Sequence, residues 1–148
     1  MDPAARRLVE QMGLLTEADG LPRIAGRIFG YLLLEPEERS LDEIAESLGV
    51  SRASVSTDAR RLTQVGLLER RSRPGDRRDY YVVAPSGFRR VIEQRIRSMR
   101  QFHELLIAAR ELPSLSPEVR ARIAVWDSAH EDVLVAFTTV LERLRSQE

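Results

Sequence analysis

Two capped helices separated by a very short turn are the feature that most restricts the fold of this sequence. Ser40 and Glu43 have the spacing of a capping box, in which each side chain binds the other residue's free backbone amide at a helix start. Gly49 ends this first helix, and Ser51 caps a second helix that runs to Gly66. The apolar stripe of the first helix comprises Ile44, Ala45 and Leu48. Two helices joined by so tight a turn predict a helix-turn-helix.

A β-hairpin with a basic tip is predicted directly after the second helix. The segment Arg73-Pro74-Gly75-Asp76 is a turn sequence, and Tyr80-Tyr81-Val82-Val83 is rich in strand-forming residues. We expect Asp76 to cap the turn or to orient a neighbouring arginine, because its carboxylate would repel a phosphate. The arginines around the turn are Arg70, Arg71, Arg73, Arg77 and Arg78. The predicted fold class is therefore mainly α with a small β-hairpin wing, a winged helix-turn-helix.

Further helices are predicted on both sides of this segment. Residues 4–14 have the pattern of a short amphipathic helix. A break from Thr16 to Pro22 follows, and a second helix begins at Arg23. Residues 87–111 have the pattern of a long helix, and Ser116 caps a last helical region. We expect an N-terminal dimerisation helix (1–20), a winged helix-turn-helix DNA-binding domain (21–85) and a C-terminal helical dimerisation region (86–148).

The flanking helices predict a homodimer. The N-terminal segment is too short to be a stable helix alone, and the apolar face of residues 119–144 is wider than one partner helix requires. A symmetric dimer would bury both surfaces.

The charge of the chain is neutral as a whole but unevenly distributed. Of the 148 residues, 23 are basic and 23 acidic, and every basic residue is Arg. Residues 51–100 hold 13 arginines and 5 acids, whereas residues 1–50 hold 5 arginines and 10 acids. Because the local field depends on nearby charges, the middle third predicts a surface for a polyanion, with an ordinary solvated face as the other interpretation.

Several classes of protein are excluded or unsupported. The chain has no cysteine, which excludes disulfides, thiolate metal sites and cysteine nucleophiles. The longest apolar run, Ile28 to Leu34, is interrupted by a glycine and is too short to span a membrane, and the N-terminus lacks the long apolar core of a signal peptide. His103 and His130 lie on separate predicted helices, and no carboxylate near either has a metal-ligand spacing that stands out from chance; no catalytic motif is visible. We expect a cytoplasmic protein with no cofactor and no enzymatic activity.

The second helix of the helix-turn-helix carries the candidate DNA-binding residues. If Val55, Ala59 and Leu62 face the core, small hydroxyl residues and arginines lie outside. Small residues allow a backbone to lie deep in a major groove, and arginines pair with phosphate or guanine. The outward set comprises Arg52, Ser54, Ser56, Thr57, Arg60 and Arg61.

This arrangement resembles the MarR family of winged-helix transcription factors. The resemblance rests on the capped helix, the S-R-A-S-V-S helix and the R-x-x-x-G-x-R-R wing; residues 21–30 and 75–78 look most like the GbsR-like branch. It implies a homodimeric regulator, a repressor by analogy, on a pseudo-palindromic double-stranded DNA site. The resemblance implies DNA-binding roles for the matching positions of this sequence. Base readout is expected from Ser54, Ser56 and Thr57. Phosphate contacts are expected from Ser51, Arg52, Arg60 and Arg61, and contacts of the wing from Arg73, Arg77 and Arg78.

Two other interpretations remain open at this point. The winged helix is alternatively a module whose basic face binds an acidic protein without specific DNA binding. An enzyme that uses His103 or His130 as an acid or base is the other alternative, although no orienting group accompanies either histidine. Phe102, Trp126 and Phe137 are candidates for a small-molecule effector pocket, against the more ordinary interpretation that they belong to the core.

Overall fold

The computed structural model describes residues 1–146, which form six α-helices and one three-stranded antiparallel sheet. The helices are α1 (Pro3–Ala18), α2 (Arg23–Leu34), α3 (Leu41–Leu48), α4 (Arg52–Gln64), α5 (Gly87–Arg110) and α6 (Pro117–Arg145). The strands are β1 (Arg39–Ser40), β2 (Leu68–Ser72) and β3 (Asp79–Val83). The predicted fold class, mainly α with a small β-hairpin wing, is confirmed.

Local hydrogen bonds produce the helix-turn-helix as the sequence predicts. The Ser40 hydroxyl accepts a hydrogen bond from the Glu43 amide at 3.3 Å, and the Glu43 carboxylate accepts one from the Ser40 amide at 2.8 Å. Gly49 has a φ of 63° at the end of α3, a conformation that glycine adopts without steric cost. The Ser51 hydroxyl then caps α4 by accepting from the amide of Ser54. These caps satisfy backbone groups that a helix end leaves free.

The sheet has the strand order β1-β3-β2, with both pairs antiparallel. Strands β2 and β3 are the predicted hairpin, in register from Leu68 opposite Val83 to Ser72 opposite Asp79. Strand β1 was not predicted. It has only two residues, Arg39 and Ser40, which is too short for an alternating pattern to show in a sequence.

The chain divides into two compact units, Met1–Phe88 and Arg89–Glu148. The N-terminal unit has a continuous core to which α1, α2, α3, α4 and the sheet contribute. Its most buried large side chains include Val9, Ile28, Ile44, Val55 and Leu68, each at most 1% exposed. This core fixes the orientation of α4 and of the hairpin.

Helix α1 belongs to the N-terminal unit and is longer than predicted. The expected break from Thr16 to Pro22 begins too early: the helix continues to Ala18, and the Asp19 amide still donates to the Leu15 carbonyl at 3.2 Å. The chain leaves the helix at Gly20, which has a φ of 78°. Glycines allow α1 and α2 to pack closely: a Cβ on Gly26 would lie 2.6 Å from the Met12 carbonyl oxygen. The role of α1 in dimerisation stays a prediction.

The C-terminal unit has a much smaller core. Its buried cluster consists of Ile92, Ile96 and Leu141, against which Leu134, Phe137 and Leu144 pack. A neighbouring stripe of α6, which contains Trp126, Val133 and Val140, is 39–61% exposed. Helix α6 therefore has an apolar face wider than its own unit covers.

Candidate nucleic-acid interface

Helix α4 presents one exposed face opposite its buried one. Val55, Ala59 and Leu62 are buried, as the sequence predicts. The exposed face, with positions at helical spacing, comprises Ala53, Thr57, Arg60 and Gln64. The sequence analysis does not include Gln64, although it lies seven residues, or two helical turns, after Thr57. Glutamine pairs well with the major-groove edge of adenine.

The hydroxyl groups near the start of α4 are largely occupied within the helix. The Ser51 and Ser54 hydroxyl oxygens lie 2.8 Å apart, and Ser51 also caps the helix. The Thr57 hydroxyl donates to the Ala53 carbonyl at 3.1 Å, so its remaining capacity is as an acceptor. Ser56 is half-buried at the edge of the exposed face.

The three arginines of α4 differ in their partners. Arg52 lies 2.8 Å from the carboxylate of Asp42 on α3, and Arg61 lies 2.8 Å from that of Asp58 on α4 itself. Asp58 is only 6% exposed, and this burial raises the pKa of its carboxyl while the Arg61 charge opposes the rise. Arg60 is exposed and has no ion-pair partner in the described part of the chain. Arg60 is thus the α4 arginine that is free to meet a phosphate.

The arginines of the wing also differ in whether a carboxylate binds them. Nε of Arg73 donates to Glu38 at 2.8 Å, and the Arg73 guanidinium lies 4.0 Å from the centre of the Tyr80 ring. The Asp76 carboxylate accepts from the Arg78 backbone amide at 2.9 Å and from its guanidinium at 2.7 Å. Arg77 is exposed, without an ion-pair partner among residues 1–146.

Asp76 has the structural role that the sequence predicts. Besides orienting Arg78, it accepts a hydrogen bond from the Tyr80 hydroxyl at 2.8 Å. The hydrogen bonds from Arg78 and Tyr80 hold the pKa of the Asp76 carboxyl well below its usual range. The carboxylate is thereby a fixed part of the turn, and the expectation that it orients a neighbouring arginine is confirmed.

The candidate effector residues all lie in the C-terminal unit. Phe102 is 41% exposed with its ring 5.0 Å from that of His130, and Trp126 is 61% exposed. Phe137 instead packs on the cluster around Leu141. A pocket formed by these three aromatic residues stays a prediction.

The two histidines have local partners on α5 and α6. Nδ1 of His103 lies 2.9 Å from the carboxylate of the buried Asp127, which also binds Arg110 at 2.8 Å, and Nε2 of His130 lies 3.0 Å from the Met99 carbonyl. In the part of the chain that the structure describes, no three His, Asp or Glu side chains converge to hold a metal ion. None of the helices in residues 1–146 is long and apolar enough to cross a membrane.

Comparison with known proteins shows to which family the chain belongs. The model of the MarR family matches residues 19–79. The HTH-type transcriptional regulator MmpR5 of Mycobacterium tuberculosis (strain ATCC 25618 / H37Rv) is 38% identical over 124 residues, which are 82% of this chain and 75% of MmpR5. The chain belongs to the MarR family. MarR proteins are DNA-binding transcriptional regulators and not enzymes, so the predicted functional class is confirmed and the enzyme alternative is wrong.

Two further proteins, one a transcriptional regulator and the other a transcriptional repressor, are similar to this chain. A crystal structure of a transcriptional regulator superposes with a TM-score of 0.81 at 34% identity, covering 99% of this chain and 100% of that one. The HTH-type transcriptional repressor OpcR of Bacillus subtilis (strain 168) is 25% identical over 83 residues, which are 56% of this chain and 45% of OpcR. The structural similarity thus covers 99% of the chain, whereas the family model matches residues 19–79.

Proposed function

We propose that this MarR protein is a transcriptional repressor that binds, as a homodimer, a pseudo-palindromic DNA site whose half-sites lie about one helical turn apart. The observation that carries the proposal is the exposed face of α4, where Thr57, Arg60 and Gln64 project from a helix anchored in the core. Repression follows the relative OpcR, which is named a repressor. Residues 21–30 and 75–78 support the GbsR-like branch of the family.

The contacts of α4 with DNA divide by side-chain chemistry. We assign base readout to Thr57 and Gln64, with Ser56 at the edge, and a phosphate contact to Arg60. Ser51 and Ser54 support this surface through the helix cap. Arg52 and Arg61 each already bind a carboxylate, and only the guanidinium N–H groups that this ion pair leaves unused are available for a phosphate.

Homodimerisation is supported by the uncovered apolar surface of the C-terminal unit. Leu105 on α5 is 67% exposed, and Trp126 and Val135 on α6 are 61% and 62% exposed. Apolar surface of this extent is typical of a protein interface rather than of a free monomer. A two-fold dimer would also present two copies of α4 to a palindromic site.

Fluorescence anisotropy over a salt series tests this function. The wild-type protein is titrated into the duplex upstream of its own gene and into a scrambled duplex, and we expect selective binding that persists at moderate salt. Arg60→Ala should lower the slope of log affinity against log salt by about 0.9, the value for one lost phosphate contact. Thr57→Ala and Gln64→Ala should alter sequence preference with little change of slope.

Arg122→Ala is the matched control, because Arg122 is an exposed arginine of the C-terminal unit. It removes the same charge and should leave the slope unchanged. Absence of binding to any duplex would instead favour the alternative, a winged helix that binds an acidic protein.

A further inference from the structure

Arg27 of α2 contacts both α1 and the end of α3. Its Nη2 atom donates to the Leu48 carbonyl of α3 at 2.7 Å and lies 2.7 Å from Oε1 of Glu10 on α1. The Arg27 side chain is only 17% exposed, so both contacts are largely shielded from solvent. A single nitrogen therefore joins three helices of the N-terminal unit.

Helix α3 has no cation of its own at its C-terminal end. Its first turn holds two acids, whereas its last turn holds no basic residue. Leu48 is the last residue of α3, so its carbonyl has no amide of the same helix from which to accept a hydrogen bond. A positive charge at this end also interacts favourably with the helix dipole. Arg27 supplies the donor and the charge that the sequence of α3 lacks.

Helix α1 leaves room for the Arg27 side chain. Gly13 lies three residues after Glu10, and a Cβ on Gly13 would lie 2.6 Å from Cγ of Arg27. The stem of Arg27 thus passes Gly13, while Glu10 binds its guanidinium. Glu10 also contacts Arg23 at 3.1 Å, but Arg23 is 44% exposed, and within residues 1–146 no hydrogen bond or ion pair joins it to α3.

A second side chain of α2 holds α3 one turn further along. The Tyr31 hydroxyl accepts a hydrogen bond from the Ser47 hydroxyl at 3.1 Å, and Tyr31 is 4% exposed. Tyr31 and Arg27 are four residues apart and therefore lie on the same face of α2. Only residues 49–51 separate α3 from α4, so the end of α3 determines where α4 begins.

On the basis of the proposed function, we infer that Arg27 is a positioning residue for DNA recognition, which ties the end of α3 to α1 and thereby fixes the turn that precedes α4. Arg27 acts through this turn and not through a contact with DNA. When a binding-competent arrangement is populated for only a fraction of the time, the apparent affinity falls by that fraction. Arg27 therefore raises affinity for the specific site without adding a phosphate contact.

Amide hydrogen exchange of the full-length chain without DNA tests the restraint of the turn. Arg27→Met keeps an unbranched stem beside Gly13 but removes the donor and the charge. The amides of Gly49 and Val50, which are hydrogen-bonded to carbonyls of α3, should exchange about tenfold faster in this variant. Amides of the β2–β3 hairpin should change by less than about twofold. An equal increase at all amides would show that Arg27 supports only global stability and would overturn the inference.

Fluorescence anisotropy then measures the consequence for binding. Arg27→Met should weaken binding to the duplex upstream of the gene by about tenfold, with an unchanged slope of log affinity against log salt. Arg27→Lys keeps a donor nitrogen on a similar stem and should recover most of this loss, because one nitrogen makes both contacts. Equal weakening in the two variants, or a slope that falls by about 0.9 as for a lost phosphate contact, would contradict the positioning role.

Arg23→Met is the matched control for Arg27→Met. Arg23 lies on the same helix and contacts the same carboxylate, that of Glu10. Its substitution should leave both the exchange of the turn amides and the affinity for DNA unchanged, and equal effects of the two methionine variants would refute the inference.

The two measurements separate this inference from the proposed function. Faster exchange confined to the turn in Arg27→Met, together with a wild-type protein that binds no duplex, would refute the proposed function alone. Selective DNA binding by the wild-type protein, together with unchanged exchange of Gly49 and Val50 in Arg27→Met, would refute the inference alone.

Discussion

Ile28 and Ile44 in the N-terminal unit are fully buried, whereas Leu105 and Val125 in the C-terminal unit are 67% and 69% exposed. Both units contain helices with apolar residues at helical spacing, so the difference lies in what each pattern has to pack against. The N-terminal unit covers its apolar faces with its own helices and sheet. The C-terminal unit has two long helices whose faces extend beyond the small cluster around Ile96.

The two units obtain their stability in different ways. The N-terminal unit has the contacts of an independent core, in which packing is close and a volume change is costly. The C-terminal unit depends, on our proposal, on a second copy of the chain. Substitutions in the first unit should therefore act on folding, and those on exposed residues of the second unit should act on assembly.

The largest expected effect is on the core of the N-terminal unit. Ile28→Ala removes buried methyl groups at a position with 0% exposure and should lower the free energy of unfolding by about 2–5 kcal/mol. Leu33→Ala on the same helix is the control, since Leu33 is 53% exposed, and should cost well under about 1 kcal/mol. Urea unfolding measures both values, and equal losses would refute the contrast between core and surface.

The next effect tests the exposed stripe of the C-terminal unit. Val133 is 45% exposed on α6, and Val133→Glu would place a carboxylate in the proposed dimer interface. We expect the dimer dissociation constant to rise by about a hundredfold, because an unpaired buried charge costs several kcal/mol. Sedimentation equilibrium measures the change, with Leu33→Glu as the control on the other unit. A monomeric wild-type protein at micromolar concentration would contradict the homodimer.

A smaller loss of stability is expected where α1 packs against α2 in the N-terminal unit. In Gly26→Ala the new Cβ would meet the Met12 backbone carbonyl oxygen at 2.6 Å, which should cost about 1–3 kcal/mol of stability. In Gly30→Ala the nearest atom is Sδ of Met12 at 2.8 Å, the flexible end of a side chain that can move away. Thermal unfolding should rank Gly26→Ala as the more destabilised, and the reverse order would contradict the close contact of α1 with α2.

The smallest expected effect is on the pH dependence of stability, to which one acid in each unit contributes. Hydrogen bonds from Arg78 and Tyr80 lower the pKa of Asp76 from its ordinary 3.8, and hydrogen bonds from Arg145 and Arg89 lower that of Glu93 from 4.5. At a pH above its ordinary pKa, each ionised acid stabilises the folded state of its unit. This stabilisation is lost as the pH falls from the ordinary pKa towards the lower pKa of the folded state.

Asp76→Asn and Glu93→Gln should each remove part of the acid-induced loss of stability. The change should be larger for Asp76, which accepts from a backbone amide, a guanidinium and a hydroxyl. Denaturant unfolding between neutral and acidic pH provides the measurement. A larger change in Glu93→Gln would show that the fixed geometry of the turn has less influence than the two ion pairs of Glu93.

Much of the fold is predictable because its decisive signals are local. Ser40, Glu43 and Gly49 fix the ends of α3 through hydrogen bonds and backbone geometry that span at most four residues. The turn around Gly75 and the role of Asp76 are equally local. Strand β1 escapes prediction because its two residues are ordered by pairing with Tyr80 and Tyr81, far along the chain.

The candidate site also combines features that follow from local sequence with features that depend on contacts between distant residues. Helical periodicity assigns the faces of α4, so hydroxyl and arginine side chains opposite an apolar stripe are predictable from the sequence. Which arginines are free of an ion pair is visible only in the folded chain, where Asp42 binds Arg52 and Glu38 binds Arg73. These ion pairs join residues that are distant in the chain, and no local pattern specifies such contacts. Arg60 and Arg77 stand out for the same physical reason, because in the described structure folding brings no carboxylate to them.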